Sequence, residues 1–199
     1  MALFVAACMT GCSLGKEQAQ QAVQTVQAKY DEIKRDAEEY LPEQAKLVED
    51  AYASVKSTLA RGEYMKGLKE ARGLTEKVGE LRTVLESRKA ALKKSWDDIE
   101  ASVPGSFDEL QKRLEALEKS GRLPAGISKE AVASARAALP AARARWDEAV
   151  KAAKSADWKV ALDRAETARA KLVELMISLG MPVPESWKRS TSETQPSRG

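Results

Sequence analysis

The sequence predicts an all-α protein, an elongated antiparallel helical bundle of five or six long helices, and three observations carry that prediction. Hydrophobic residues make up 43% of the 199-residue chain and charged residues 32%, while aromatics are only 5%. That is the mixture of long helices, without the β-branched and aromatic enrichment of strands. Apolar residues recur in alternating steps of three and four along most of the chain. The pattern is interrupted where prolines, glycines or capping residues stand, as helix ends require.

Taken in order, Val23, Val26, Tyr30, Ile33, Ala37 and Tyr40 continue from Ala19 as a heptad seam. It ends or kinks at Leu41-Pro42, because proline disfavours helix at the residue before it. A second phase runs through Ala45, Val48, Tyr52, Val55 and Leu59 to Gly62. A third helix opens at Glu63-Tyr64 and carries Leu68, Leu74, Val78, Leu81, Leu85, Trp96 and Val103, uninterrupted until Pro104. Gly67, Gly73 and Gly79 lie inside it, and the expected reason is close approach of a neighbouring helix, since each costs about 1 kcal/mol relative to alanine. Ser106 and Glu109 have the spacing of a capping box, so a short helix with Phe107, Leu110, Leu114 and Leu117 on one face is expected to start there and stop at Gly121. Ser128 is placed to cap the next helix, with Ile127 and Val132 as a hydrophobic staple and a kink at Pro140. Asp157-Trp158 open the last helix, which Gly180 and Pro182 end. Residues 188–199 are polar and expected to be disordered.

An offset of 94 residues brings Tyr52 opposite Trp146, Glu63 opposite Asp157, Tyr64 opposite Trp158, Leu81 opposite Leu175 and Leu85 opposite Leu179. A duplicated helical hairpin is therefore expected, its copies at about 43–103 and 128–180. The turns Gly62-Glu63-Tyr64 with Gly67, and Ala156-Asp157-Trp158 with Ala161, resemble the turn of a tetratricopeptide repeat. The likeness covers only about ten residues of each copy, and the helices exceed that repeat's period of about 34 residues. It implies a shared way of packing two helices and no ligand groove.

Composition excludes much chemistry. The chain has no histidine, the commonest general base and metal ligand. Its two cysteines, Cys8 and Cys12, both lie at the N-terminus, which leaves the helical body without a thiol nucleophile or thiolate site. The 33 Lys and Arg are interspersed with 30 Asp and Glu, so there is no basic field for nucleic acid. No phosphate loop, dinucleotide fingerprint or calcium loop occurs. Glu38-Glu39 and Asp97-Asp98 read as solvated faces, as does the basic run Arg88, Lys89, Lys93 and Lys94. No enzyme, metal or cofactor is expected.

Residues 1–14, MALFVAACMTGCSL, are uncharged and mostly apolar. As a helix they would span roughly 21 Å, short of the ~30 Å core of a bilayer. Met9-Thr10-Gly11-Cys12 resembles the lipobox of a bacterial lipoprotein signal, in which the cysteine is acylated and becomes the new N-terminus. Val5-Ala6-Ala7-Cys8 is the alternative, disfavoured because almost no apolar region would precede it. The chain departs from the pattern in lacking a Lys or Arg before the apolar run, which a translation start upstream of Met1 would explain. The resemblance implies that 1–12 is a signal and anchor, that a helical body over 13–187 follows, and that Ser13 directs sorting to the outer membrane, facing the periplasm.

The expected function is that of a non-catalytic envelope lipoprotein, held to the membrane by its lipid and acting as scaffold or interaction module for an envelope protein, with the seam over 19–40 as partner surface. The alternative is a periplasmic carrier or chaperone binding a lipid or peptide between the hairpins. Tyr52, Tyr64, Trp146 and Trp158 are its candidate contacts, although at helical spacing aromatics are more often core.

Overall fold

The computed structural model describes residues 10–120 and 122–188, with side chains from Gly15 to Trp187. Cys8, Gly121 and the tail after residue 188 lie outside the described residues. The described residues are an all-α helical bundle: α1 Thr10–Asp31, α2 Lys34–Tyr40, α3 Pro42–Ala60, α4 Tyr64–Glu100, α5 Val103–Ser120, α6 Lys129–Lys154, α7 Trp158–Ser178 and the single turn α8 Glu185–Lys188.

Where one bundle over 13–187 is expected, the described residues form two compact units, divided between Ala90 and Ala91. The cause lies in the pattern along α4. Its apolar residues as far as Leu85 join one buried cluster and those from Trp96 join another, and residues 86–95 hold no buried side chain.

In the first unit, Val23, Val26, Tyr30, Ile33 and Ala37 pack with Ala45, Val48 and Val55 of α3 and with Ala71, Leu74, Val78, Leu81 and Leu85 of α4. The heptad seam is thus covered by the unit's own helices and is not a free partner surface, which corrects the expectation for 19–40. Ion pairs Arg82–Glu32 and Lys89–Asp36 advance together along α4 and along the stretch from the end of α1 into α2, so these run parallel and in direct contact. Each buried Val, Ile or Leu contributes about 1.5–3 kcal/mol and an exposed ion pair about 0–1. The apolar seam therefore sets the register. The seam is continuous in phase but not in helix: at 32–33 the chain tightens, Ile33 N–H donating to the Tyr30 carbonyl at 2.9 Å, before α2 resumes.

In the second unit, α5, α6 and α7 surround Phe107, Leu110, Leu114, Leu139, Leu172 and Leu179, with Trp96 and Ile99 of α4 and Trp187 of α8 closing the cluster. Arg136–Glu118 and Arg143–Asp108 show α5 and α6 antiparallel. Ser128 caps α6 as expected, accepting from Ala131 N–H at 3.0 Å, and Ile127 and Val132 both pack in the core. Asp157 caps α7, accepting from Val160 N–H at 3.1 Å. The capping box at Ser106 does not form. The helix starts earlier, with Pro104 in its first turn, where a missing N–H is harmless. Ser106 is left in the helix interior and its hydroxyl donates to the Ser102 carbonyl at 3.3 Å. Pro140 lies within α6, which continues on both sides of it.

The hairpin repeats in detail. α3 and α6 end at Ala60 and Lys154, α4 and α7 begin at Tyr64 and Trp158, both 94 residues apart. Buried positions coincide at the same offset, Val48 with Ala142, Val55 with Ala149, Ala71 with Ala165, Val78 with Leu172, Leu85 with Leu179. In each turn one residue is left-handed, Gly62 at φ 80° and Ala156 at φ 58°. The next N–H reaches back five residues, Glu63 to the Thr58 carbonyl at 3.2 Å and Asp157 to that of Ala152 at 3.1 Å. This is the bonding by which a helix C-terminus satisfies its last carbonyls.

Candidate functional site

Of the three glycines in α4, Gly67 alone meets a neighbour: a Cβ there would lie 2.4 Å from Leu59 Cδ2, while at Gly73 and Gly79 there is nothing within 4 Å. Close helix approach therefore explains Gly67 and not the other two.

The four aromatic candidates divide between the units. Tyr52 and Tyr64 belong to the first, Trp146 and Trp158 to the second. Trp146 is core: it is 6% exposed and stacks on Trp96 with ring centroids 5.3 Å apart and planes 11° from parallel. Trp158 is half-buried at the first position of α7, with the Lys93 ammonium 5.8 Å from its ring centroid. Tyr64 is half-buried at the first position of α4.

Tyr52 faces an opening. With Val26, Gln27, Tyr30, Asp31, Lys34, Val48 and Glu49 it lines a groove of about 260 Å³ between α1 and α3. Val26 and Val48 make its floor; the Tyr52 hydroxyl donates to Gln27 Oε1 at 2.8 Å and that of Tyr30 to the Ala45 carbonyl at 3.4 Å. Burial raises both phenols above their ordinary value, aided by Asp31 at Tyr52 and by Glu49 at Tyr30. Lys34 pairs with Glu49 at 2.8 Å across the rim. Tyr30 was legible in the sequence as a seam residue, but its place beside Tyr52 needed the fold, because the two are separated by the reversal at Leu41.

A groove of about 450 Å³ between α5 and α6 has Phe107, Leu114, Leu139 and Pro140 among its lining. Two ion pairs border it, Arg136 with Glu118 and Arg143 with Asp108, and Arg143 also lies 5.1 Å from the Phe107 ring centroid. In the basic run two of the four side chains are engaged: Lys89 meets Asp36, and Lys93 meets Asp97 at 2.7 Å. Glu38 faces Lys34 at 3.5 Å. Among the described residues, no group of three or more Asp, Glu, Cys or His could hold a metal ion.

At the N-terminus the backbone of Cys12 lies in the first turn of α1; its side chain, like all of Cys8, lies outside what is described. Among the described residues no helix is long and apolar enough to cross a membrane. No protein-family model, curated protein or solved structure matches the chain.

Proposed function

We propose that this chain is a non-catalytic lipoprotein of the bacterial cell envelope, acylated on Cys12 and sorted to the outer membrane to face the periplasm, where it acts as a scaffold for an envelope protein. The observation that carries the reading is Met9-Thr10-Gly11-Cys12 at the end of an uncharged apolar run, followed by a charged helical body. Several acyl chains on one cysteine anchor stably where a single chain does not. Glu49, Glu118 and Asp108, which border the body's grooves, each face a Lys or Arg partner, so these three carboxylates are engaged in ion pairs. Since the seam over 19–40 is buried, the partner surface lies on the outer faces of the helices.

The test has two arms. Metabolic labelling with palmitate is expected to mark the parent and not Cys12→Ala, and equal labelling of both would sink the assignment of that residue. Crosslinking in cells, followed by identification of what is captured, is expected to recover one envelope protein. Recovery of bound lipid alone would favour the carrier reading, to which the Tyr30–Tyr52 groove offers a place within the first unit.

A further inference from the structure

We propose that the turn between α3 and α4 is a second, non-covalent membrane contact, in which Met65 enters the phospholipid surface beside the acyl anchor. The inference rests on acylation of Cys12 and adds to it a named protein surface.

Met65 lies close to the anchor. Cys12 and Gly15 are three residues apart in α1, about 4.5 Å along its axis. A Cβ built on Gly15 would lie 3.8 Å from the Met65 sulfur, so Met65 sits against the first described side-chain position after the anchor. Gln18 and Thr25 of α1 line one groove with Leu68 and Thr75 of α4. The two helices therefore start at the same end of the unit, and the turn at 61–63 is at that end with them.

Met65 is 71% exposed, more than Leu47, Ile177, Val84 or Val160, the other exposed large hydrophobics. The hairpin does not need an apolar residue there, because the second copy makes the same turn with Lys159 at the corresponding position. Tyr64, half-buried beside Met65, has the apolar body and polar tip of residues that favour a bilayer interface. Arg61 and Lys66 flank it, sharing the single carboxylate of Glu63, and Lys16 follows Gly15 with its side chain in solvent. Cations around an apolar tip suit lipid phosphates and an acyl boundary together.

The test places a nitroxide at Met65→Cys, and separately at Leu47→Cys, in the full lipidated chain reconstituted in vesicles of phosphatidylethanolamine and phosphatidylglycerol. Leu47 is 68% exposed and lies on α3 fourteen residues before Arg61, about 21 Å along the helix away from the turn. The ratio of oxygen to aqueous nickel-chelate accessibility is expected to be at least about three-fold higher at 65 than at 47, because oxygen concentrates in the apolar layer where the chelate is excluded. Equal ratios at the two sites would overturn the proposal, as would low accessibility to both reagents at 65, which signifies a protein partner or a second copy. The parent chain, without an added cysteine, takes no label when Cys12 is acylated. Labelling of the parent would refute the anchor itself and is read separately from the comparison of sites.

Discussion

Replacing Gly67 by alanine sets two ordinary effects against each other. In an open helix interior the change stabilises by about 1 kcal/mol. Here the new methyl would meet Leu59 Cδ2 at 2.4 Å and Cγ at 3.0 Å. The terminal methyl can swing aside, but Cγ is fixed closer to the backbone, and forcing extra volume into a packed contact costs about 1–3 kcal/mol. The net expectation is a loss of roughly 0–2 kcal/mol, while Gly73→Ala, with nothing within 4 Å, gains about 1 kcal/mol. The second hairpin shows how the conflict is resolved: Ala161 and Ala153 stand where the first has Gly67 and Leu59. The double variant Gly67→Ala, Leu59→Ala should therefore be more stable than the sum of its singles by about 0.5–3 kcal/mol, the range for coupled neighbours. Denaturant unfolding can assign the effect to a unit, because all four tyrosines lie in residues 1–90 and all four tryptophans in 91–199. The change should appear in far-ultraviolet circular dichroism with the tryptophan transition unmoved. If Gly67→Ala stabilises as much as Gly73→Ala, the packing account of this turn is refuted.

Two further outcomes concern backbone and charge. Ala156 holds a left-handed conformation that costs an L-residue about 1–2 kcal/mol; Ala156→Gly should raise the stability of the second unit by about 1 kcal/mol and Gly62→Ala lower that of the first by a similar amount, both measured by the same unfolding assay. The Asp36 carboxyl is held below its ordinary value of 3.8, chiefly by the hydrogen bond from Lys89 and also by Arg35. A depressed acid stabilises fully above its unfolded value and loses that contribution as the pH falls through the folded one. The first unit should thus weaken below about pH 4, and Asp36→Asn should flatten that decline without changing the tryptophan-monitored transition.

The helices and their faces were legible because burial follows a simple period: every seam residue from Ala19 to Ala37 is buried where the spacing of three and four puts it. The cap at Ser128 was legible because a short oxygen before an open helix start has one good use, whereas Asp157, read only as opening the last helix, proves to cap it. Ser106 misled because the same residue pattern occurs inside a helix, and Pro104 had already set the start. The tightening at Ile33 left no mark, since a step of three from Tyr30 belongs to an unbroken heptad as well. The division into two units was hidden by the continuity of α4: its apolar spacing lapses over 86–95, yet no proline or glycine marks the lapse. At the candidate site, sequence placed the aromatic residues on hairpins but could not tell which would be walled in. Trp146 is covered by Trp96, fifty residues earlier, and the Tyr52 groove depends on Tyr30 from another helix.

Trp187 is 3% exposed, and its indole N–H donates to the Ser102 hydroxyl at 3.2 Å. The two residues stand 85 positions apart and close the second unit from its opening corner to its last described helix. During synthesis the first unit has all the residues of its core once Leu85 and Lys89 have emerged. The second cannot make this contact until Trp187 has emerged as well. The two halves therefore become competent to fold at different moments, and the later one waits with Trp96 and Phe107 uncovered in the interval.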